Sequence, residues 1–420
     1  MKKILLNLTY VILWCTFSFV QAQQTEIVIS GTIFETGKNK KIVPYANIGI
    51  KGAAVGTVSN SNGEYEFHLP KKYINDSLQV SCLGYDNFSI AIKDIKSRQH
   101  FDIFLTAKAY ELDAFTVHAQ PLTAEYIVQE AIKRIPTNYQ NKVNLMDGFY
   151  REYFEENDEF VAFAEASVSI YDPNGYDEGK ETQKESVSIN EIRVSDINNK
   201  GEYVLYIDIN YALRSNVIRN LDYWQRHLKK GRYDVQKLSL DSISYYNNSL
   251  VYCISFLTQS KKRGTYEGNF YIRMNDFAVM RVEIEANNLQ AEEINGSPHQ
   301  SNVVLIYKEY EGKMYLNYIS ANHKTNYMLE EQMFELTFYS DLLINDITTK
   351  NIIPIAANSK MKEKSVFYQP RYRTFDPEFW ATYNLFERSP ANAMIIADLE
   401  KNRSLSEQYI ANNKLKKMRR

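Results

Sequence analysis

Gly56-Thr57-Val58-Ser59-Asn60-Ser61-Asn62-Gly63-Glu64-Tyr65-Glu66-Phe67-His68-Leu69 decides the architecture of the first hundred residues. Two apolar-alternating runs flank a four-residue turn signal with Asn-Gly at its end. Gly63 can supply the positive φ that such a turn needs. Tyr65 and Phe67 alternate with Glu64 and Glu66, so the run has one core face and one wet face. Working outward, Glu26–Phe34 and Tyr45–Lys51 precede it, the second entered through Pro44, where a strand needs no ladder donor. Leu78–Leu83, Asn87–Ile92, Phe101–Leu105 and Ala114–Val117 follow, with Gly84-Tyr85 between the first two. Short strands at this spacing predict a β-sandwich over residues 25–119.

The same residues carry a family resemblance. Ile29-Ser30-Gly31-Thr32-Ile33, Val43-Pro44-Tyr45-Ala46-Asn47-Ile48, the Gly56–Tyr65 run, Leu69-Pro70, Ser81 with Gly84-Tyr85, and Leu112–Val117 occur in order. Together they resemble the carboxypeptidase regulatory-like domain, a seven-stranded prealbumin-like sandwich. The resemblance implies a cell-envelope setting. It implies no import role.

Residues 1–22 form a separate unit. Lys2 and Lys3 precede a mostly apolar run, Ile4–Val20, and Val20 and Ala22 occupy the small-residue positions before Gln23. This is the pattern of a cleaved signal peptide, so the chain is expected to be exported, periplasmic or associated with the outer membrane. Loss of these residues removes two lysines and no acid, taking the formal charge from −2 to −4. A slightly acidic chain offers no electrostatic basis for nucleic-acid binding. The one basic cluster, Lys414, Lys416, Lys417, Arg419 and Arg420, reads as a solvated terminus. Only Cys82 and Cys253 remain after cleavage, too few for a disulfide-stapled fold, and both are expected as free thiols on strands.

After the sandwich the hydrophobic period changes. Ala124, Ile127, Val128, Ala131, Ile132 and Ile135 recur at helical steps between Thr123, a candidate N-cap, and Pro136. A linker helix is expected over 121–139. Residues 141–355 return to longer, Tyr-rich strands and are expected to form a larger antiparallel sheet domain. The strands are Gly148–Phe154, Phe160–Tyr171, Glu202–Ile209, Leu250–Gln259, Gly268–Met274, Ala278–Ala286, Val303–Tyr310, Met314–His323 and Gln332–Ile344. The polar stretch Asp172–Lys200 reads as a long exposed loop, and Asn216–Gly231 as a short helix. Residues 356–420 form an extension closed by a helix over Ser404–Lys417.

The hairpin from Gly268 to Glu283, turning at Asp276, looks like one found in lipoprotein-carrier-like folds, where a curved antiparallel sheet wraps a hydrophobic groove. Phe375-Asp376-Pro377-Glu378-Phe379-Trp380 with Tyr383-Asn384 is similar to segments of exported proteins that pair this sandwich with a sheet domain. That likeness brings no activity with it.

Catalytic constellations are missing from the sequence. The six histidines are 68, 100, 118, 227, 299 and 323, and none begins a zinc-ligand pattern of the kind a metallocarboxypeptidase needs. There is no Gly-x-Ser-x-Gly elbow and no glycine-rich phosphate loop. The acids around Glu152, Glu155, Glu156, Asp158 and Glu159 lack the regular ligand spacing of a calcium loop and read as solvated charge. No cofactor, no metal site and no catalytic residue is therefore expected. Trp224, Trp380 and Tyr383 are the candidate contacts for a ligand or partner, beside the ordinary reading of large aromatics as core. The function expected is a non-catalytic envelope protein, its sandwich a docking module and its sheet domain binding an envelope or outer-membrane protein. A carrier of lipid or another apolar ligand in a sheet groove is the alternative, and a glycan binder using exposed aromatics is a third.

Overall fold

The structure, a computed structural model, describes residues 26–108, 122–176, 185–198, 209–220, 235–247, 249–260, 264–288, 299–329, 331–361, 375–383 and 390–417. The leader at 1–22, the strand expected at 114–117 and Trp224 lie outside them. The molecule is mainly β.

Seven strands build the N-terminal sandwich: β1 Glu26–Glu35, β2 Asn47–Ile50, β3 Gly56–Val58, β4 Glu64–Pro70, β5 Ser77–Ser81, β6 Phe88–Ala91 and β7 Ile103–Leu105. One sheet has the order β4-β1-β7 and the other β3-β2-β5-β6. Ile29, Ile33, Tyr65, Phe67, Leu69, Leu78 and Val80 fill the space between them. The turn before β4 is built as its residues dictate. Asn60 Oδ1 accepts from the backbone N–H of Asn62 (2.9 Å) and Glu64 (3.0 Å). Gly63 sits at φ +71°, where a Cβ would lie 2.7 Å from the Ile33 carbonyl oxygen.

A helical connector follows: α1 Ala124–Lys133 and the short α2 Ile135–Asn138. Thr123 caps α1 by accepting from Tyr126 N–H at 3.2 Å. Pro136 does not end the helical run. It sits in the first turn of α2, where its missing N–H costs nothing.

Ten strands then form one antiparallel sheet. They are β8 Asn144–Glu156, β9 Glu159–Asp172, β10 Ser186–Val194, β11 Val235–Tyr246, β12 Ser249–Ser260, β13 Gly264–Arg273, β14 Val279–Asn288, β15 His299–Tyr310, β16 Lys313–Leu329 and β17 Gln332–Thr348. Their order is β10-β9-β8-β17-β16-β15-β14-β13-β12-β11. Two corrections concern its edges. The stretch expected as an exposed loop over 172–200 contains β10, and β11 was not anticipated. Ile209, expected to end a strand, opens the short helix α3 Ile209–Arg214 instead, with 201–208 outside the described residues. The helix expected over 216–231 is a run of turns as far as residue 220. Among the described residues three helices follow: α4 Pro377–Thr382, α5 Pro390–Leu399 and α6 Leu405–Lys417. Ser404 and Glu407 form a reciprocal cap at the start of α6, each accepting from the other's backbone N–H at 3.3 and 3.1 Å.

Both cysteines are free; Cys82 lies just beyond β5 and is buried, and Cys253 is half-buried on β12.

Candidate functional site

Register places side chains of the ten-stranded sheet on two faces of opposite character. On the first face, three rows run across the strands. One row reads Ala162, Phe154, Phe338, His323, Ser301, Ala286, Tyr266, Thr258. The next reads Ala164, Glu152, Ser340, Ala321, Val303, Ile284, Gly268, Phe256. The third reads Ala166, Tyr150, Leu342, Ile319, Leu305, Val282, Phe270, Ile254. Small residues, Ser301, Ala286 and Ala321, occupy the centre of the first two rows. Rings flank them: Phe154 and Phe338 at 5.0 Å on one side, Phe256 and Phe270 at 4.9 Å on the other. We call this pattern of small residues between aromatic flanks, most of them buried, the trough. Bulges in six of the nine strand pairings add the local bend and twist that such a sheet needs to curl.

One end of the trough is sealed. Ile127, Ala131 and Ile135 of the connector helices and Ile209, Ala212 and Leu213 of α3 join its apolar cluster. Tyr139, Tyr176 and Tyr307 plug the same end, Tyr139 lying 4.7 Å from Tyr176 and 5.5 Å from Tyr307 between ring centroids. Each phenol is satisfied: Tyr139 donates to the Val279 carbonyl (2.7 Å), Tyr307 to Asn216 Oδ1 (2.7 Å), and Tyr176 accepts from Asn216 Nδ2 (3.1 Å). Burial pushes the Tyr139 and Tyr307 phenols far above their ordinary range. At the other end Leu336, Phe338, His323, Ser301 and Tyr266 are only half-buried.

The second face carries charge. Glu165, 1% exposed, accepts from Arg151 Nε at 2.8 Å and from Arg193 on its other oxygen. Those two guanidinium groups hold the Glu165 carboxyl below the ordinary carboxylate range against the opposing effect of burial. Asp341, facing the same layer, is pushed up by burial and accepts from Tyr318 Oη at 2.6 Å. The C-terminal helices cover this part of the face. The Arg193 guanidinium lies 4.5 Å from the Trp380 ring centroid. Trp380 is 5% exposed and packs edge-on against Phe149. Tyr383 donates to the Gly148 carbonyl at 2.8 Å and stacks on Phe379. Of the aromatic candidates, the structure brings Trp380 and Tyr383 together, their rings 5.8 Å apart, with Trp380 buried and Tyr383 half-buried.

The sandwich covers the adjoining part of the second face. Val58 joins Phe149, Ile306, Tyr318, Leu343 and Trp380 in one cluster, which explains why all three residues of β3 are buried. Asn317 Nδ2 donates to Asn47 Oδ1 at 2.8 Å, and Asn47 in turn donates to the Tyr246 phenol. Lys308 reaches across the junction to the Ala54 carbonyl at 2.7 Å and bonds the Ile344 carbonyl at 3.1 Å. Desolvation pushes its ammonium down to about 7, opposed only by the charge of Asp346. It lines a cleft of about 380 Å³ between sandwich and sheet. Beyond the sandwich, an open hollow of about 590 Å³ is lined by Glu267, Glu283, Glu285, Asn269 and Lys237 together with Phe256, Leu257, Ile284 and Val304.

Among the described residues no group of three or more His, Cys, Asp or Glu side chains could hold a metal ion, and no helix is long and apolar enough to cross a membrane. The trough was the feature sequence reasoning did not assemble, because its rows join residues from eight strands. The hairpin at Gly268–Glu283, which contributes Gly268, Phe270, Val282 to it, was the nearest signal.

No curated protein matches the chain. Among solved structures, similar folds include a domain of an outer membrane lipoprotein-sorting protein from Vibrio parahaemolyticus, at 9% identity and TM-score 0.27, covering 55% of this chain and 94% of that one. A LolA superfamily protein from Nitrosomonas europaea is similar at 9% identity and TM-score 0.19, covering 58% and 99%. The MucA/MucB complex of Pseudomonas aeruginosa follows at 6% identity and TM-score 0.17, covering 52% and 93%. At these TM-scores the likeness carries no functional argument. The family model described as CarboxypepD_reg-like domain matches residues 29–117, so the N-terminal sandwich is the carboxypeptidase regulatory-like domain that its motifs resemble.

Proposed function

We propose that this protein is a non-catalytic binding protein of the cell envelope, and that the trough on the first face of its sheet takes an apolar ligand, the acyl chain of a lipid. The observation that carries the reading is the trough's asymmetry. One end is sealed by helices and bonded tyrosines, while Phe338, Leu336 and Tyr266 stay half-buried at the other. A chain entering there would gain ~0.8 kcal/mol for each methylene removed from water. Small side chains at Ser301 and Ala286 between the rings suit a narrow, unbranched group over a branched one. The leader pattern at 1–22 supports the envelope setting.

Gentle purification from the native envelope followed by native mass spectrometry and organic extraction tests the reading. Extractable lipid is expected on the wild-type protein and is expected to be lost from Ser301→Trp, which fills the floor at a half-buried position. A bare wild-type polypeptide, or an equal lipid load on the variant, removes the carrier reading.

One observation favours a second reading, partner-protein binding by the sheet. Among the described residues strand β11 stands last in the sheet order; Gly84 of the sandwich donates to its Tyr245 carbonyl at 2.7 Å, and the stretch of β11 ahead of Tyr245 is where a strand of another protein would pair. A protein still attached in the same mass spectrum would favour it.

A further inference from the structure

On the outer face of the sandwich, away from the ten-stranded sheet's trough, three apolar side chains stand together in solvent. Phe34 of β1 and Phe104 of β7 are register partners, and their rings stack at 5.7 Å with an interplanar angle of 28°. Ile42 is bridged to Phe34. Phe104 is 43% and Ile42 44% exposed. The loop joining Phe34 to Ile42 carries Lys38, Lys40 and Lys41 and, after Glu35, no acid. All three lysines are exposed. Lys40, held at a positive φ of 43°, places its ammonium 5.7 Å from the Phe34 centroid and 5.8 Å from that of Phe104.

Three amines stand near two acids here, Glu35 and Asp102. Glu35 is occupied by the Tyr85 phenol at 2.8 Å, and Lys41 stands 3.7 Å from it. The other acids of this outer face are Asp102, exposed two residues before Phe104 and accepting from Thr32 N–H at 3.0 Å, and Glu26, Glu64 and Glu66 beyond it, which lie beside His68 (3.7 Å), Asn60 (2.9 Å) and His68 (2.7 Å). The edge that carries β7 therefore presents rings and an aliphatic side chain, rimmed by three amines on flexible stems, with Asp102 tied to the Thr32 N–H below them.

We infer that this edge is a membrane-surface contact for bilayers with anionic headgroups. Phe34, Phe104 and Ile42 enter the boundary between headgroups and acyl chains, and Lys38, Lys40 and Lys41 meet the phosphates above them. Lysine stems suit this because they lie along apolar surface while keeping the charge in the wet layer. Three apolar residues are too few for a stable protein interface, which takes about 20–30 residues a side. They are enough to anchor a charged loop on a lipid surface, where each lysine adds about fivefold to the partition coefficient. The contact lies on the sandwich and shares no residue with the trough.

Co-sedimentation of the full chain with vesicles tests the assignment. One set is pure phosphatidylcholine and the other phosphatidylcholine with phosphatidylglycerol, both at low salt. Recovery is expected on the anionic vesicles only, and it is expected to fall as salt shortens the screening length. The triple variant Lys38→Gln, Lys40→Gln, Lys41→Gln should partition on the order of a hundredfold more weakly. Phe104→Ser, at an exposed position, should weaken binding several-fold with an unchanged circular-dichroism spectrum. Lys414→Gln, Lys416→Gln, Lys417→Gln in the basic tail should bind as wild type. Equal recovery on both vesicles overturns the assignment, as does loss of binding in the tail variant with retention in the loop variant. No vesicle binding, with an acidic protein captured by the loop in its place, overturns it too.

Discussion

Glu165 shows how one residue commits a surface to structure. Its carboxylate is enclosed at 1% exposure and holds Arg151 and Arg193, one on each oxygen. Removing the charge would leave two guanidinium groups buried with their main counter-charge gone. Breaking a buried pair on one side costs ~3–5 kcal/mol. Glu165→Gln is expected to lose about that much, read as a lowered midpoint in urea denaturation. A loss under ~1 kcal/mol would mean that Asp341 and the Trp380 ring already compensate both cations. The triad also explains Trp380. Its ring is the apolar side of the Arg193 pocket, which keeps it out of solvent and out of reach of a glycan.

At the scale of elements, the best-marked segment is α1, whose cap and apolar face both stand in the sequence. Thr123 accepts from Tyr126 N–H, and Ile127 and Ala131 face the apolar cluster. Thr123→Ala is expected to cost ~1 kcal/mol, measured as a shift of the thermal midpoint. An unchanged midpoint would place the helix's stability wholly in its packing, including Arg134 over Phe277 at 4.6 Å. The two edge strands of the large sheet were illegible for a definite reason. In β10 the pairing steps from Ile189↔Val168 to Glu191↔Ser167, so the buried positions change phase across Asn190. In β11 it steps from Leu240↔Ile254 to Ser242↔Cys253, across Asp241. A one-residue bulge breaks the period of two on which strand recognition rests, and each half is then too short and polar to stand out. The sandwich was legible because its strands alternate without such breaks: Tyr65, Phe67 and Leu69 all point inward from β4. The trough was not, since alternation identifies a face but says nothing about which strands are neighbours.

At the scale of the molecule, the docking of sandwich on sheet is linked to pH through Lys308. Its ammonium is bonded to one carbonyl from each unit, Ala54 and Ile344, and desolvation lowers it from 10.5 to about 7. Asp346 supplies the only opposing charge, and Glu309, Glu311, Tyr307 and Tyr310 line the same cleft. A lowered lysine disfavours the docked, folded state wherever the released chain would be charged and the docked one neutral. Stability should therefore rise with pH between about 7 and 10, by at most ~1.4 kcal/mol per unit, and level off below about 7. Above 10 the sign reverses. The phenols of Tyr139, Tyr307 and Tyr318 are raised by burial, so they stay neutral in the fold while their unfolded counterparts ionise. The two effects together predict a maximum near pH 10 in urea-denaturation free energy. Lys308→Met removes the rising limb and leaves the falling one, because the tyrosines are untouched. A wild-type profile flat from pH 7 to 10, or one whose slope survives in Lys308→Met, would show that the junction relaxes enough to keep this ammonium solvated while the two units stay docked.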